Sequence, residues 1–248
     1  MKIFYKVIYE IICLVYSNVL TAFENYFLRC NFKSNFSLEK DGFLKLTSIS
    51  NLSTLKQKFD FVLNDNLISF YSNRYQKKFV LSQENLNSII KLIFDKQFCH
   101  FLTSQTGFRY SIDYFGAYQN LPIPKEQLDK PWYANHYHFD KPNSKNMLKV
   151  FIPISEIGLK DGPLQLIDIN HKKQYLVGDI GVIFLCKLNV CLHKAGVPQD
   201  GRKTNLIMIQ LNPSRNWYLN NNLYQRQFKK EPKFTSFTNQ FVSRMILN

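Results

Sequence analysis

The 248-residue chain lacks the cysteine patterns that mark disulfide-rich and zinc-binding proteins. Its cysteines form no CxxC pair, and no two of them have the spacing of a zinc site. They are Cys13, Cys30, Cys99, Cys186 and Cys191. An odd count with mostly apolar neighbours favours reduced thiols, so we expect a cytoplasmic protein. The chain also has no internal repeat and no long linker, and its length suits one large domain.

Acidic residues are scarce: 18 Asp and Glu stand against 32 Lys and Arg, which gives a formal net charge of +14. The basic residues are mostly Lys and are scattered along the chain. No helix-turn-helix, zinc-finger or aromatic RNA-binding signature accompanies them. We interpret them as a solvated surface and expect no nucleic-acid partner. A small anionic substrate remains compatible with this charge.

The N-terminal segment has only a short uncharged stretch. It runs from Ile11 to Phe23, 13 residues, which is too short to span a bilayer. No small-x-small cleavage site of a signal peptide follows it. Apolar residues recur at helical spacing between Ile3 and Val15, which predicts an amphipathic helix from Met1 to about Leu28. We interpret it as a packing helix, with weak contact to a membrane surface as the alternative.

Hydrophobic residues make up 45% of the chain and aromatic residues 15%, enough for a substantial core. Helical periodicity predicts helices within Asn51–Phe70 and Ser82–Phe101, the second with Ser82 as its N-cap. From Phe108 onward, short β-rich runs alternate with Gly, Pro, Asn and Asp, a texture typical of an antiparallel sandwich or barrel. The runs are Phe108–Phe115, Ala134–Phe139, Met147–Ile154, Leu164–Ile167, Val182–Cys186 and Asn205–Leu211.

A His-x-Asp triplet, His138 and Asp140, lies in the second of these runs. Residues two apart in a strand point to the same face. One further His from a neighbouring strand would complete two imidazoles and a carboxylate on one face of a metal. That set leaves adjacent coordination positions open, as a non-haem iron(II) oxygenase requires. The triplet alone is weak evidence, since such triplets occur by chance.

The second His and a basic residue follow in order. His193 comes after the run that ends at Cys186, and Arg202 follows nine positions later, before the last strand. The planar guanidinium of Arg202 pairs well with a carboxylate, so it is our candidate for anchoring a keto-acid cosubstrate. Thr204 would add a hydrogen bond on the same strand face, and Lys203 is the next candidate anchor.

Alternatives for the first ligand stay open. His136 shares strand parity with His138, although only His138 forms the His-x-Asp triplet with Asp140. A metal cupin would need a Glu three or four residues after the histidines, and the sequence has none there. For Arg202, a solvent-facing turn is the alternative.

From about Leu38 to Pro213 the sequence resembles the phytanoyl-CoA dioxygenase-like family of iron(II)/2-oxoglutarate oxygenases. The matching segments are DGFLKL (41–46), HYHFD (136–140), LKVFIPIS (148–155), DGPLQLI (161–167), GD (178–179) and LHKAG…GRKT (192–204). The family often has Ser-His after the DGPLQ-like segment, where this chain has Asn170 and His171. We interpret His171 as a surface turn residue.

The resemblance implies a mainly β, α+β fold with a double-stranded β-helix (jelly-roll) core and N-terminal helices packed on one side. It implies Fe(II), 2-oxoglutarate and O2, with ascorbate as a stimulant, and hydroxylation of a small molecule with release of succinate and CO2. It makes His138, Asp140 and His193 the metal ligands and assigns the 2-oxoglutarate anchor to Arg202. Because relatives that halogenate replace the carboxylate ligand, Asp140 favours hydroxylation or desaturation.

The expected organisation is a single domain, 1–248, with an N-terminal helix (1–37), an oxygenase core (38–213) and a C-terminal extension (214–248). Candidates for an aromatic cavity lining are Tyr110, Tyr114, Tyr118, Trp132 and Tyr137. Two other functions compete with the oxygenase: an inactive β-helix binding protein, and a membrane-surface scaffold. The sequence does not identify the substrate.

Overall fold

The computed structural model describes residues 2–30, 37–46, 61–63, 76–128, 136–140 and 143–219, together with Leu52 and Phe59. Within these residues the helices are α1 (Lys2–Phe27), α2 (Ser37–Asp41), α3 (Gln83–Ile93), α4 (Lys96–Thr106) and α5 (Lys125–Leu128), with a 3-10 turn at Leu159–Asp161. The strands are β1 (Phe43–Leu46), β2 (Val62–Leu63), β3 (Gln76–Val80), β4 (Arg109–Asn120), β5 (Leu148–Pro153), β6 (Gln165–Ile167), β7 (Lys173–Tyr175), β8 (Ile183–Cys186), β9 (Leu192–Lys194) and β10 (Thr204–Ser214).

The strands form two antiparallel sheets. The larger has the order β1-β8-β5-β10-β4-β3-β2, and the smaller has the order β7-β6-β9. Several neighbours in the larger sheet are distant in the chain, as β10 lying between β4 and β5 illustrates. Two facing antiparallel sheets with such crossovers make a jelly roll. The predicted fold class is therefore confirmed.

Side chains alternate along the central strands, so the two faces of these strands pack into two different cores. On β10, Ile207 and Ile209 face an outer core, and they pair with Ile152 and Val150 of β5. The intervening Met208 pairs with Phe151 and faces an inner core between the sheets. Because side chains alternate along a strand, every second residue of β5 and β10 points to the space where a site can form.

Helices α3 and α4 cover the outer face. Four buried residues of α3 repeat at the spacing of one helix face: Leu86, Ile89, Ile90 and Ile93. Ser82 caps the helix by accepting a hydrogen bond from the Asn85 amide, as the sequence predicts. Asp95 caps α4 in the same way, so the predicted single helix is two. This apolar stripe seals one face of the sheet and leaves the other face for chemistry.

Helix α1 docks through polar groups in its C-terminal half. The Ser17 hydroxyl donates to the Asn143 carbonyl, and Thr21 accepts from the Lys145 amide. Glu24 is fully buried and accepts a hydrogen bond from Asn146. Many apolar side chains towards the N-terminus are exposed instead: Val7, Ile8, Ile11, Ile12, Leu14, Val15 and Val19. The packing-helix interpretation therefore describes only part of the helix.

Within the described residues, α1 is the one helix that is long enough and apolar enough to cross a membrane. The segment Val7–Phe27 has a mean hydropathy of 1.5, and 17% of it is buried. The uncharged stretch counted in the sequence is bounded by Glu10 and Glu24. A helix that contains both of these charged residues can still be long and apolar enough to cross a membrane. By length and composition, the expectation that this segment is too short to span a bilayer was therefore wrong. Core helices and signal sequences have the same composition, so length alone does not decide its role.

Several predicted boundaries differ from the structure. β4 continues to Asn120, five residues past the predicted run, and β10 continues to Ser214. Most of the predicted helix 51–70 lies outside the described residues, where β2 is the described strand. The run 134–139 is described only from His136, and His138 lies in an isolated β-bridge. Residues 220–248 lie outside the described residues, so the division into three segments stays a prediction.

Candidate metal centre

Two backbone hydrogen bonds join the two histidines of the site. The His138 amide donates to the His193 carbonyl and the His193 amide donates to the His138 carbonyl, each at 3.0 Å. The rings lie with their centroids 4.3 Å apart. His193 belongs to β9, so the second ligand comes from the smaller sheet. The fold thus supplies the neighbouring strand that the His-x-Asp triplet requires.

Asp140 lies between the two rings. Its Oδ1 is 3.5 Å from His193 Nε2 and 4.0 Å from His138 Nε2. Its backbone is held by a hydrogen bond from the Asp140 amide to the Leu188 carbonyl. One ligand atom from each of the three residues lies within 4.8 Å of the other two. The structure therefore brings together the three residues predicted as metal ligands.

The other nitrogen of each ring faces a backbone carbonyl. His138 Nδ1 lies 2.8 Å from the His136 carbonyl oxygen, and His193 Nδ1 lies 3.3 Å from that of Cys191. Since a carbonyl only accepts, Nδ1 of each ring carries the proton and the lone pair resides on Nε2. Metal-binding histidines are commonly oriented in this way.

Three electron-pair donors therefore converge on one point. A cation placed between the two imidazole nitrogens and the carboxylate oxygen would be bound by all three. The donor set suits a divalent transition metal, and a group of two His and one carboxylate is typical of non-haem iron(II). The residues present fit the predicted ion.

Lys149 is a functional candidate that the sequence analysis missed. Its Nζ lies 2.5 Å from Asp140 Oδ2, and both side chains are only 14% exposed. Burial alone would raise the pKa of Asp140, but the Lys149 ammonium beside the carboxylate outweighs this effect and holds the pKa well below its usual range. The carboxylate is therefore ionised and ready to bind a cation across the neutral pH range.

A cavity that opens to solvent lies between the sheets and reaches the three ligands. Its wall is mostly apolar, with Phe151 and Phe184 contributing aromatic rings. Gln76 and Asn120 line it too, and the Gln76 amide donates to the Asn120 side chain at 2.9 Å. The site is a concave apolar pocket with a few polar groups, the usual form of a small-molecule site.

The predicted carboxylate anchors are placed differently. Thr204 lines the cavity, and its hydroxyl donates a hydrogen bond to the Asp161 carbonyl. Arg202 is not among the residues that line the cavity. Its side chain is 57% exposed, with Nε 3.9 Å from Asp161 Oδ1. Thr204 is the first residue of β10, whereas Arg202 lies before the strand. Arg202 therefore does not continue the inward alternation of β10. Their binding of 2-oxoglutarate stays a prediction.

The alternative ligand His136 is exposed and lies outside the ligand cluster. Among the aromatic candidates, Tyr118 lines the cavity. Tyr110 is buried in the outer core, Tyr137 is 37% exposed, and Tyr114 is not part of the lining. Trp132 lies outside the described residues.

Two further sequence interpretations concern single residues. His171 is exposed and has a φ of 61° in the turn after β6, as a surface turn residue should. Cys186 and Cys191 are buried, and burial raises the pKa of the Cys191 thiol to about 11. Both thiols are therefore protonated at neutral pH, as expected of packing residues rather than nucleophiles.

Comparison with known proteins gave no matching family model and no matching curated protein. Solved structures with similar folds include the nogalamycin-biosynthesis epimerase SnoN, described as non-heme and alpha-ketoglutarate dependent (10% identity, 71% of this chain and 80% of that one, TM-score 0.48). HygX from Streptomyces hygroscopicus, with nickel, 2-oxoglutarate and hygromycin B bound, shares 9% identity over 71% of this chain and 84% of that one, with a TM-score of 0.46. EctD from S. alaskensis, with 2-oxoglutarate and 5-hydroxyectoine, shares 13% identity over 73% and 75%, with a TM-score of 0.49.

At such identities and TM-scores, these likenesses carry no argument about the activity or substrate of this chain. The functional argument rests on the arrangement of its own residues.

Proposed function

We propose that the protein is an Fe(II)/2-oxoglutarate-dependent dioxygenase that hydroxylates a small molecule and releases succinate and CO2. The observation that carries the proposal is the convergence of His138 Nε2, His193 Nε2 and Asp140 Oδ1 at the base of an apolar cavity. A purely structural role would not require three electron-pair donors to face one another with each imidazole tautomer fixed from behind.

The protein residues have separate tasks. His138, Asp140 and His193 would hold Fe(II), and the cavity beside them would admit the other ligands. When bound, the metal and 2-oxoglutarate together supply the activation of O2. The apolar wall, including Phe151 and Phe184, excludes water from the reacting groups. Ascorbate would keep the iron reduced between turnovers.

The test is succinate release by the purified protein with Fe(II), 2-oxoglutarate, ascorbate and O2. We expect slow release without a substrate, because metal and cosubstrate suffice for idle turnover, and faster release in the presence of a substrate. The matched variant Asp140→Ala should abolish release, while His136→Ala should retain it because His136 lies outside the ligand cluster. Equal release by the parent and Asp140→Ala would contradict the proposal.

Hydroxylation, rather than halogenation, is proposed because Asp140 occupies the position that a halide would need. In chloride buffer, mass spectrometry of the product should show the gain of one oxygen atom. A chlorinated product would overturn this part of the proposal.

The alternatives of an inactive β-helix binding protein and a membrane-surface scaffold are less well supported. Neither explains why an ionised Asp140 faces the Nε2 atoms of two histidines at the edge of an apolar cavity. The proposed substrate is a small molecule, with anionic character suggested by the net charge of +14. The absence of a nucleic-acid partner and the cytoplasmic location stay predictions.

We also propose that the N-terminal half of α1 contacts an anionic membrane surface. Its exposed apolar residues suit the lipid interface, and the net charge of +14 complements anionic headgroups. The polar contacts of Ser17, Thr21 and Glu24 with residues 143–146 favour a helix that lies on the membrane, since spanning the bilayer would break them.

Co-sedimentation with phosphatidylserine vesicles tests the membrane proposal. The parent should bind, and the double variant Ile11→Asn/Val15→Asn should bind much less while retaining activity. Binding that is unchanged in the double variant would contradict a role for this surface.

A further inference from the structure

We propose that Lys149 is the cation that binds the second carboxylate of 2-oxoglutarate. The inference rests on the proposed function. It concerns which residue of the cavity selects a cosubstrate with two carboxylates. It differs from the sequence-based expectation, which assigns this task to Arg202.

A dicarboxylate needs a counter-charge inside such a cavity. One end of 2-oxoglutarate, the keto-acid end, is the chelating end and faces the metal. The other carboxylate would lie against an apolar wall, where an ionised group without a partner is strongly destabilised. A cation or several hydrogen-bond donors must therefore reach into the cavity from the protein.

Lys149 is the cationic side chain among the described residues that line the cavity, the histidine ligands aside. It lies on β5, two residues from Phe151, so both point to the inner face. Its side chain is 14% exposed, and its Nζ already binds a carboxylate, that of Asp140. The long, flexible stem allows the ammonium group to serve another carboxylate close by.

The alternative anchors face elsewhere. Arg202 is 57% exposed and lies outside the lining, with its nearest described acidic partner at Asp161. Lys203 is exposed as well. The hydroxyl of Thr204 donates its proton to the Asp161 carbonyl, so its oxygen can only accept and cannot stabilise a carboxylate by donation.

The charges in the cavity also balance with this assignment. The Lys149 ammonium offsets the Asp140 carboxylate, so the full double charge of the metal ion is left to be neutralised. A dianionic cosubstrate supplies that neutralisation, whereas a keto acid with one carboxylate does not. Lys149 therefore favours a dicarboxylate both by direct contact and by the net charge of the site.

The experiment compares two keto acids that differ in the second carboxylate. Affinities for 2-oxoglutarate and 2-oxopentanoate are measured by calorimetry under anaerobic conditions with Fe(II)-loaded protein. The variants are Lys149→Met, Lys149→Arg, Arg202→Met and the surface control Lys91→Met, whose Lys is exposed on α3. The Fe(II) affinity of each variant is measured separately, and circular dichroism checks folding.

We expect Lys149→Met to weaken 2-oxoglutarate binding about 30-fold, equivalent to about 2 kcal/mol for a lost charge-assisted pair. Binding of 2-oxopentanoate should change little, so the preference for the dicarboxylate should be lost. Lys149→Arg should restore part of the preference, and Arg202→Met and Lys91→Met should keep it. If Lys149→Met does not fold, Lys149→Gln, which keeps a polar end, takes its place.

Three results would overturn the inference. Equal weakening of both keto acids by Lys149→Met, with weaker Fe(II) binding, would show that Lys149 only positions Asp140. Loss of the preference in Arg202→Met alone would return the role to Arg202. A parent protein that binds both keto acids equally would show that no residue selects the dicarboxylate. Failure of the parent to bind either keto acid with Fe(II) would instead contradict the proposed function itself.

Discussion

His138 and His193 are joined by reciprocal backbone hydrogen bonds, although 55 residues of chain separate them. The bridge links the segment that carries His-x-Asp to β9 of the smaller sheet. Because both backbones are fixed in this pair, the fold itself holds the two imidazoles side by side.

The first prediction concerns the identity of the histidine ligand. Losing a group that hydrogen-bonds to a metal ligand typically lowers metal affinity by about 10–100-fold. His138→Ala should lower it further, because the variant loses a ligand itself. His136→Ala is the matched control, because His136 is exposed and contributes only its backbone carbonyl to the site. Competition with a chromophoric chelator measures both affinities. A larger loss in His136→Ala would mean that the ligand assignment is wrong.

The second prediction concerns the pH dependence of the metal-free protein. Since the folded-state pKa of Asp140 is lowered, its ion pair with Lys149 stabilises the fold above the ordinary carboxyl value of 3.8, and this contribution is lost as the pH falls through the folded-state value. Asp140→Asn leaves Lys149 buried without its partner. At neutral pH the free energy of unfolding of this variant should therefore be about 3–5 kcal/mol lower than that of the parent.

Urea unfolding between about pH 7 and pH 3 measures this effect. The difference between the parent and Asp140→Asn should begin to shrink below pH 4. The double variant Asp140→Asn/Lys149→Met should recover much of the lost stability, because no charge is then left unpaired. A difference that is constant down to pH 3, with no recovery in the double variant, would argue against the ion pair.

The third prediction uses the alternation of β10 to separate stability from activity. Ile207→Ala empties part of the outer core and should lower the free energy of unfolding by about 2–5 kcal/mol. Because Ile207 points away from the cavity, the affinity for 2-oxoglutarate should be unchanged in the folded variant. Its neighbour Met208 lines the cavity, so Met208→Ala should alter cosubstrate or substrate binding. The reverse pattern would show that the two faces of the sheet have been assigned incorrectly.

The fourth prediction concerns the attachment of α1. Asn146→Ala removes a donor to the buried Glu24 carboxylate and should lower the free energy of unfolding by about 1–3 kcal/mol. The matched control is Lys145→Ala, whose exposed side chain is not part of the contact and whose amide still binds Thr21. Thermal unfolding measures both. Limited proteolysis should cut near α1 more readily in Asn146→Ala than in the control, and equal cutting would contradict the contact.

The ligand set was predictable because it depends on local spacing. His138 and Asp140 are two residues apart, and the order of the motifs indicated His193 as the third ligand. The main strands were predictable from the β-rich runs for the same reason. Strands β7 and β9 were not, because their three-residue sequences, Lys-Gln-Tyr and Leu-His-Lys, lack the apolar character that marked the equally short β6.

Lys149 and Arg202 illustrate what spacing alone does not encode. The sequence analysis did not single out Lys149, which lies in a mostly apolar strand, although its parity with Phe151 was a usable signal. Arg202 was predicted from its spacing to His193 and from the family resemblance; its side chain is 57% exposed and outside the cavity lining, and its role stays a prediction. Side-chain direction in a turn depends on backbone geometry that spacing does not encode.

The most direct test of the central claim is anaerobic calorimetric titration of 2-oxoglutarate into the protein with and without Fe(II). The account predicts one 2-oxoglutarate bound per chain when Fe(II) is present, and no measurable binding when it is absent or when Asp140 is changed to Ala. Binding of 2-oxoglutarate that is equally strong without metal, or no binding in its presence, would contradict the assignment of His138, Asp140 and His193 as a catalytic iron site.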